Sequence, residues 1–398
     1  MNGTATNGIT HQPVEAVLNN FNAINAESFE SDGDRSKALL AAYALVSRLE
    51  TPWDTVARLC MNQPALYASL KVAKDLQLFE KWQEKGNDAE HSDDLAKMVN
   101  CDPVLLARIL RHLATNHVLQ EDLAGKFKPT KFSVSLLQPV FGEWINFLYD
   151  ASIPVFYKTP EYLKKTSYAN VTDPEDCVFQ YAKDYKGDLF AYYNDNPREG
   201  ASFNHVMGGV MANQASWLDI IPAERLLKDA DPSQPLVVDV GGNIGHDIEK
   251  FRQVYPDTAA RLYLEDRPAV VELSKCPDPV NKVPHDFFQD QPIKGSRIYY
   301  MHGVLHDWSD EPASKILRAL GSALKPGYSK LLIHDHVVPD QSAHPHATSY
   351  DLNMMVLVAG QERTETEWRT LLESTGYRIV QVWRSPLAAQ AIIEAELA

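Results

Sequence analysis

With 398 residues, 44% apolar and 23% charged, the chain has the length for two domains and the composition of an ordinary globular protein. Its formal net charge of −15 argues against a polyanionic partner such as DNA. No apolar run approaches the roughly 18 residues of a membrane helix. Four scattered cysteines, Cys60, Cys101, Cys177 and Cys276, point to free thiols in a reducing compartment rather than disulfides or a zinc site.

The first residues, Met1-Asn-Gly-Thr, have neither the basic nor the apolar part of a signal peptide. Residues 1–12 are expected to be a disordered tail, and the protein to be cytoplasmic. Helical spacing follows in Val14, Val17, Leu18 and Phe21, and again in Leu39, Leu40, Tyr43 and Val46. A polar break at 27–36 separates the two, with Ser36 or Asp34 as cap of the second. Such apolar helices need a covering surface, either their own domain or a second subunit.

Further helices are expected over 53–82. Leu95, Met98 and Val99 then lie on one helix. Asp102-Pro103 opens another, whose stripe is Leu105, Leu106, Ile109, Leu110 and Leu113. Val118-Leu119 and Phe127-Lys-Pro129 flank Gly125 as a small hairpin. This is a winged-helix layout. Its helix offers only Arg108, Arg111 and His112 to a nucleic acid, so a scaffold or dimerisation role fits better than DNA binding. Residues 137–215 read as helical and rich in aromatics, among them Trp144, Phe179, Phe190, Tyr192 and Tyr193. Such a run is core first, and secondarily a place for a flat apolar ligand.

From Leu236 on, strands and helices alternate. The strands are expected at 236–240, 261–265, 283–286, 298–302, 330–335 and 378–384, with a last apolar segment at 388–394. The helices between them are expected at 246–255, 267–274, 311–323, 348–358 and 365–375. The fold class is therefore α/β, a seven-stranded, Rossmann-like, doubly wound sheet behind an N-terminal all-α winged-helix domain. The domains are expected at 1–195 and 196–398. The first strand ends in Asp239-Val-Gly241-Gly242-Asn-Ile-Gly245, a turn that lets a ligand approach the backbone closely. It carries no phosphate-binding Lys, and an acid sits in the strand itself, which suits a cationic ligand. Asp266 ends the second strand, where a ribose diol can be held.

These motifs resemble class I S-adenosylmethionine-dependent methyltransferases, and more closely the plant and fungal O-methyltransferases of the caffeate O-methyltransferase type. The resemblance covers nearly the whole chain. Its most specific pieces are Leu305-His-Asp-Trp-Ser-Asp-Glu311 and Gly360-Gln-Glu-Arg-Thr-Glu365, behind the winged helix; His285-Asp-Phe-Phe288 and Asp266-Arg-Pro268 also match. It implies that Gly241, Gly242 and Gly245 pass close to the methionyl part of S-adenosylmethionine, with Asp239 near its ammonium. Asp266 takes the ribose hydroxyls, Asp286 and Phe287 flank the adenine, and Arg267 and His302 complete the cofactor set. His306 is the implied general base, oriented by Asp335 and Glu362, and no metal is expected. The resemblance also implies a homodimer through the N-terminal helices. Two departures stand out: His302 occupies a position where relatives have Lys or Arg, and Asn243 and His246 interrupt a more Gly-rich turn.

Two activities suit this constellation. One is O-methylation of an aromatic or polyketide-like secondary metabolite. The other is a pericyclase or isomerase of the same fold, in which the cofactor is a fixed positive charge and is not consumed. Retention of His306, Asp335 and Glu362 favours methyl transfer over both that reading and a non-catalytic scaffold. Neither nucleic acid nor membrane is expected as a partner.

Overall fold

The computed structural model describes residues 13–213, 216–384 and 390–398. The expected tail at 1–12 and the start of the last apolar segment, 388–389, lie outside them. The chain divides into two compact units, 1–59 and 60–398.

The first unit holds α1 (Val14–Ala23), α2 (Asp32–Leu49) and α3 (Pro52–Ala57), none of which buries a residue. Leu18, Phe21, Tyr43 and Trp53 are exposed. Helix α2 starts earlier than its expected caps. Ser31 is the N-cap and accepts from Asp34 N, which leaves Asp34 in the first turn, where a negative charge suits the helix dipole.

The second unit opens with α4 (Gln63–Asp75), α5 (Leu78–Glu84), β1 (Glu90–His91), α6 (Ser92–Val99) and α7 (Pro103–Thr115). Asp102 caps α7 by accepting from Leu105 N, and Pro103 takes the first helical position, where its missing N–H costs nothing. Leu106, Leu110 and Leu113, one helical turn apart, are fully buried with Trp82, Leu95 and Phe127. Strands β2 (Leu119–Leu123) and β3 (Lys126–Pro129) form the wing, in a sheet of order β1-β3-β2.

Helices α8 (Lys131–Ser135), α9 (Pro139–Phe147), α10 (Ile153–Lys165), α11 (Val178–Lys183), α12 (Leu189–Asp195) and α13 (Pro197–Asn213) follow. Phe147, Tyr162, Phe179, Tyr192 and Tyr193 form a buried cluster with Val356–Ala359, so much of the aromatic run is core.

After α14 (Trp217–Ile220) and α15 (Ala223–Leu227), the α/β part runs β4 (Val237–Val240), α16 (His246–Val254), β5 (Leu262–Asp266), α17 (Pro268–Val271), β6 (Asn281–Pro284) and β7 (Ile298–His302). Then come α18 (Asp310–Gly321), β8 (Lys330–Asp335), α19 (Pro345–Val358), α20 (Glu365–Ser374), β9 (Tyr377–Arg384) and β10 (Ala391–Leu397). The seven-stranded sheet has the order β6-β5-β4-β7-β8-β10-β9. All strands are parallel except β10, which inserts antiparallel between β8 and β9. Helix α17 is shorter than the expected 267–274, and β6 ends at Pro284, so Asp286 and Phe287 sit in the loop after it.

This order fixes where a ligand can bind. The chain winds outward from β4 through β5 to β6, then returns to β7 on the other side of β4. The crevice at the carboxyl ends of β4 and β7 is therefore the topological switch point. The glycine turn leaves β4 there, and His306 follows β7.

Candidate active site

The glycine turn is built so that only glycine fits. Gly241 and Gly245 have φ of +72° and +95°, and a Cβ on Gly242 would lie 2.5 Å from Asp239 Cγ and 2.6 Å from Leu264 Cδ1. One on Gly245 would meet Cys276 Sγ at 2.3 Å. The turn is tied to the next strand. Gly241 N and Gly242 N both donate to Glu265 O, while the Asp266 carboxylate accepts from Asn243 N at 2.8 Å and Arg267 N at 2.7 Å. Phe287 comes up beside Gly241, its Cε1 3.7 Å from where a Cβ would be. Asp286 accepts from Phe288 N and shapes that loop.

Asp239 lies beneath the turn, 1% exposed, with one carboxylate oxygen lacking a partner among the described residues. Burial, with Asp247 and Asp266 nearby, raises its pKa well above the ordinary value. His302 is engaged on both ring nitrogens, Nδ1 2.6 Å from Asp247 Oδ2 and Nε2 3.0 Å from Gln390 Oε1, and it stacks on His334 at 4.0 Å.

The second half of the site grows from β7. Gly303, at φ +60°, starts a tight turn in which Leu305–Asp307 form one 3₁₀ turn. His306 Nδ1 lies 2.8 Å from Glu362 Oε1. Asp335 ends β8 fully buried, and among the described residues neither of its carboxylate oxygens has a hydrogen-bond partner. It acts on His306 by charge alone. Burial by itself would lower the His306 pKa, but Glu362, Asp335 and Asp307 overcome this and raise it to about 10. The same pairing holds the Glu362 carboxyl below its ordinary value despite its burial.

Two residues that sequence reasoning did not single out complete this geometry. Arg363, 0% exposed, donates from Nη1 to Leu305 O, from Nη2 to Trp308 O and from Nε to Asp310 Oδ1. It clamps the His306 turn from both sides. Gln361 N donates to His306 O, and Gly360 packs so closely on that oxygen that a Cβ would sit 2.3 Å from it. His336 places Nδ1 3.2 Å from Glu362 Oε2. The signal for Arg363 was its place inside the Glu-Arg-Thr motif. For His336 there was only the local His-Asp-His run.

A cavity of about 550 Å³ opens between α12 and α13, lined by Phe190, Tyr193, Asn194, Phe203, Asn204 and Arg267. Tyr193 and Phe203 stack at 4.7 Å, and the Arg267 guanidinium lies 5.8 Å from the Phe190 ring centre. Phe190 and Phe203 are thus cavity wall, while the buried Tyr193 joins that wall to the core.

An O-methyltransferase domain family matches residues 164–378, and an O-methyltransferase dimerisation domain family matches residues 59–139. The chain is 63% identical to O-methyltransferase mfmE of Annulohypoxylon moriforme over 398 residues, covering 99% of both chains. It belongs to the O-methyltransferase family. That family depends on S-adenosylmethionine. Among solved structures, a chain described as a pericyclic reaction enzyme superposes with a TM-score of 0.84 at 25% identity, over 97% of this chain and 99% of the other. OxaC, solved in complex with sinefungin and meleagrin, superposes with a TM-score of 0.81 at 24% identity, over 97% of each chain, and shares the fold. Among the described residues, no helix is long and apolar enough to cross a membrane.

Proposed function

We propose that the protein is a homodimeric cytoplasmic enzyme that methylates a hydroxyl of an aromatic or polyketide-type secondary metabolite, with His306 as general base. The observation that carries this reading is the His306 ring. Its Nδ1 is held by Glu362, and its Nε2 makes no hydrogen bond among the described residues. The residues at the end of β4 fit S-adenosylmethionine. The glycine turn admits a ligand backbone-close, the Asp266 carboxylate suits a ribose diol, and Asp239 and Asp266 give the crevice the sign a cationic ligand needs. When bound, that cofactor supplies an electrophilic methyl group.

The chain's own part is to orient and to move a proton. Glu362 accepts Nδ1–H and so fixes the tautomer, which leaves the Nε2 lone pair for the acceptor hydroxyl. The imidazolium that forms is stabilised by Glu362, Asp335 and Asp307. The same anions keep His306 protonated near neutral pH in the free site. A cofactor held at the end of the neighbouring β4 would place a positive charge that opposes the imidazolium and favours the neutral ring. Holding oxygen and methyl at near-attack distance supplies much of the remaining acceleration. Phe190, Tyr193 and Phe203 offer a flat apolar acceptor its walls. The domain division in this reading is 1–195 for helical and dimerisation functions and 196–398 for cofactor binding, with dimerisation supported by the apolar, exposed α1–α3 and the dimerisation-domain match.

A second reading, a pericyclase, is supported by the pericyclic-enzyme likeness and by a histidine held in its cationic, hydrogen-bond-donating form. Stoichiometry separates the two. One demethylated cofactor formed per product supports methyl transfer. A ratio near zero, with cofactor still required, refutes it in favour of cyclisation.

A further inference from the structure

Proton transfer through His306 leaves one neighbour without a task. His336 follows Asp335 at the end of β8, 7% exposed, with its ring 5.1 Å from that of Tyr350. Its Nδ1 faces Glu362 Oε2 at 3.2 Å, an ion-pair separation, and both atoms are shielded from solvent with no well-directed hydrogen bond among the described residues. A metal cation between them would satisfy both. One nitrogen of His306, one of His336 and one Glu362 oxygen all lie within 4.8 Å of one another.

We propose that His306, His336 and Glu362 form a binding site for a divalent transition-metal ion of the zinc class, and that occupancy inhibits the enzyme by taking the lone pair of its base. The donor set is two imidazoles and a carboxylate, the ligands of open, three-residue zinc sites. Magnesium and calcium prefer oxygen alone and are disfavoured here. Zinc bonds of roughly 2.0–2.2 Å imply donor–donor separations of roughly 3.3 Å in a tetrahedron. The His336–Glu362 pair already stands at 3.2 Å, and a side-chain rotation of His306 completes the set. Asp335, fully buried and without a partner, adds negative charge beside the site. The His306 side chain, 16% exposed, leaves the set open to solvent on one side.

The test uses the full-length protein, stripped with a chelator and titrated with Co²⁺ in the absence of cofactor and acceptor. The visible d–d bands of low-coordinate cobalt are expected to saturate at one ion per chain and to vanish when Zn²⁺ displaces it. His336→Ala and Glu362→Gln are each expected to weaken binding by tenfold or more. If His336→Ala does not melt cooperatively, Glu362→Gln carries the comparison. Zn²⁺ at saturation is expected to lower turnover at least tenfold, with recovery on chelation. Absence of stoichiometric cobalt uptake, or uptake unchanged in the variants that fold, overturns the site. Activity lost on chelation overturns the inhibitory role. The cobalt spectrum is read without turnover, so its outcome is independent of the methyl-transfer proposal.

Discussion

His306 Nδ1 lies 2.8 Å from Glu362 Oε1, and this is the one hydrogen bond the imidazole makes among the described residues. Glu362 in turn is held through its backbone, where its N–H donates to Asp351 Oδ1 at 2.9 Å. The His306 ring is therefore oriented through one acid by contact, while Asp335 contributes only its field. The Asp335 carboxylate stays in its own buried niche at the end of β8.

The pH dependence follows from that pairing. Only neutral imidazole accepts a proton, so kcat/KM is expected to rise with pH. The nearby anions favour the imidazolium, which places the ascending limb above the ordinary histidine value. Glu362→Gln removes one of those anions. The imidazolium loses stabilisation, its pKa falls, and the limb moves to lower pH by about one unit or more. His306→Ala is expected to lower turnover by roughly 10²–10⁴-fold while leaving cofactor affinity nearly intact. A Glu362→Gln profile whose limb stays in place or moves upward would count against the assignment.

Arg363→Met tests the clamp on the His306 turn. The variant strands Leu305 O and Trp308 O without their buried donor, a cost of about 2–5 kcal/mol. Thermal melting is expected to drop by several degrees, and turnover to fall more than cofactor affinity does, because the glycine turn on β4 is untouched. Equal losses in kcat and in cofactor binding, measured by calorimetry, would show that Arg363 serves the whole fold rather than this turn.

The cofactor cradle is tested by two substitutions. Gly242→Val drives a side chain into Asp239 and Leu264 and is expected to abolish binding of S-adenosylmethionine and of its demethylated product. Asp266→Ala removes the proposed ribose acceptor, at about 1–3 kcal/mol for a lost charged hydrogen bond. Unchanged calorimetric affinity in both variants would sink the assignment of this turn.

The sheet and the place of His306 at the end of β7 were legible because their signals are local. Val237–Val240 is a β-branched run ending in glycines, and His306 lies in a seven-residue motif directly after β7. What stayed hidden depends on distant partners. The antiparallel insertion of β10 is a matter of pairing with β8 and β9, and nothing in Ala391–Leu397 states its direction. Arg363 reads as a surface cation until two carbonyls of the 305–308 turn are brought to it. His336 reads as one polar residue at a strand end until Glu362, 26 positions later, folds against it. The cap of α2 was missed for a simpler reason: Ser31 sits inside a polar stretch in which several residues are equally good caps.

Asp239 offers the sharpest test of what the cofactor turn costs the fold. Its folded-state pKa lies well above the ordinary carboxyl value, through burial first and through Asp247 and Asp266 second. The folded protein therefore holds this proton more tightly than the unfolded chain does. Stability contributed by the group is present below the ordinary value, near 4, and is lost as pH rises above it. At neutral pH this buried carboxyl, with one oxygen unpartnered among the described residues, is a liability. Asp239→Asn keeps the shape and removes the charge. The variant is expected to be more stable than the wild type at pH 7, by about 0.5–2 kcal/mol. The gain should shrink toward acid pH, as the carboxyl of the unfolded wild-type chain takes up its proton too. Cofactor affinity should fall in the same variant, because the charge proposed to face the ammonium is gone. Chemical denaturation at pH 7 and at pH 4, paired with calorimetry, reads both effects. A variant less stable at pH 7, or one whose gain is the same at both pH values, would show that Asp239 is not held as a strained acid beneath the glycine turn.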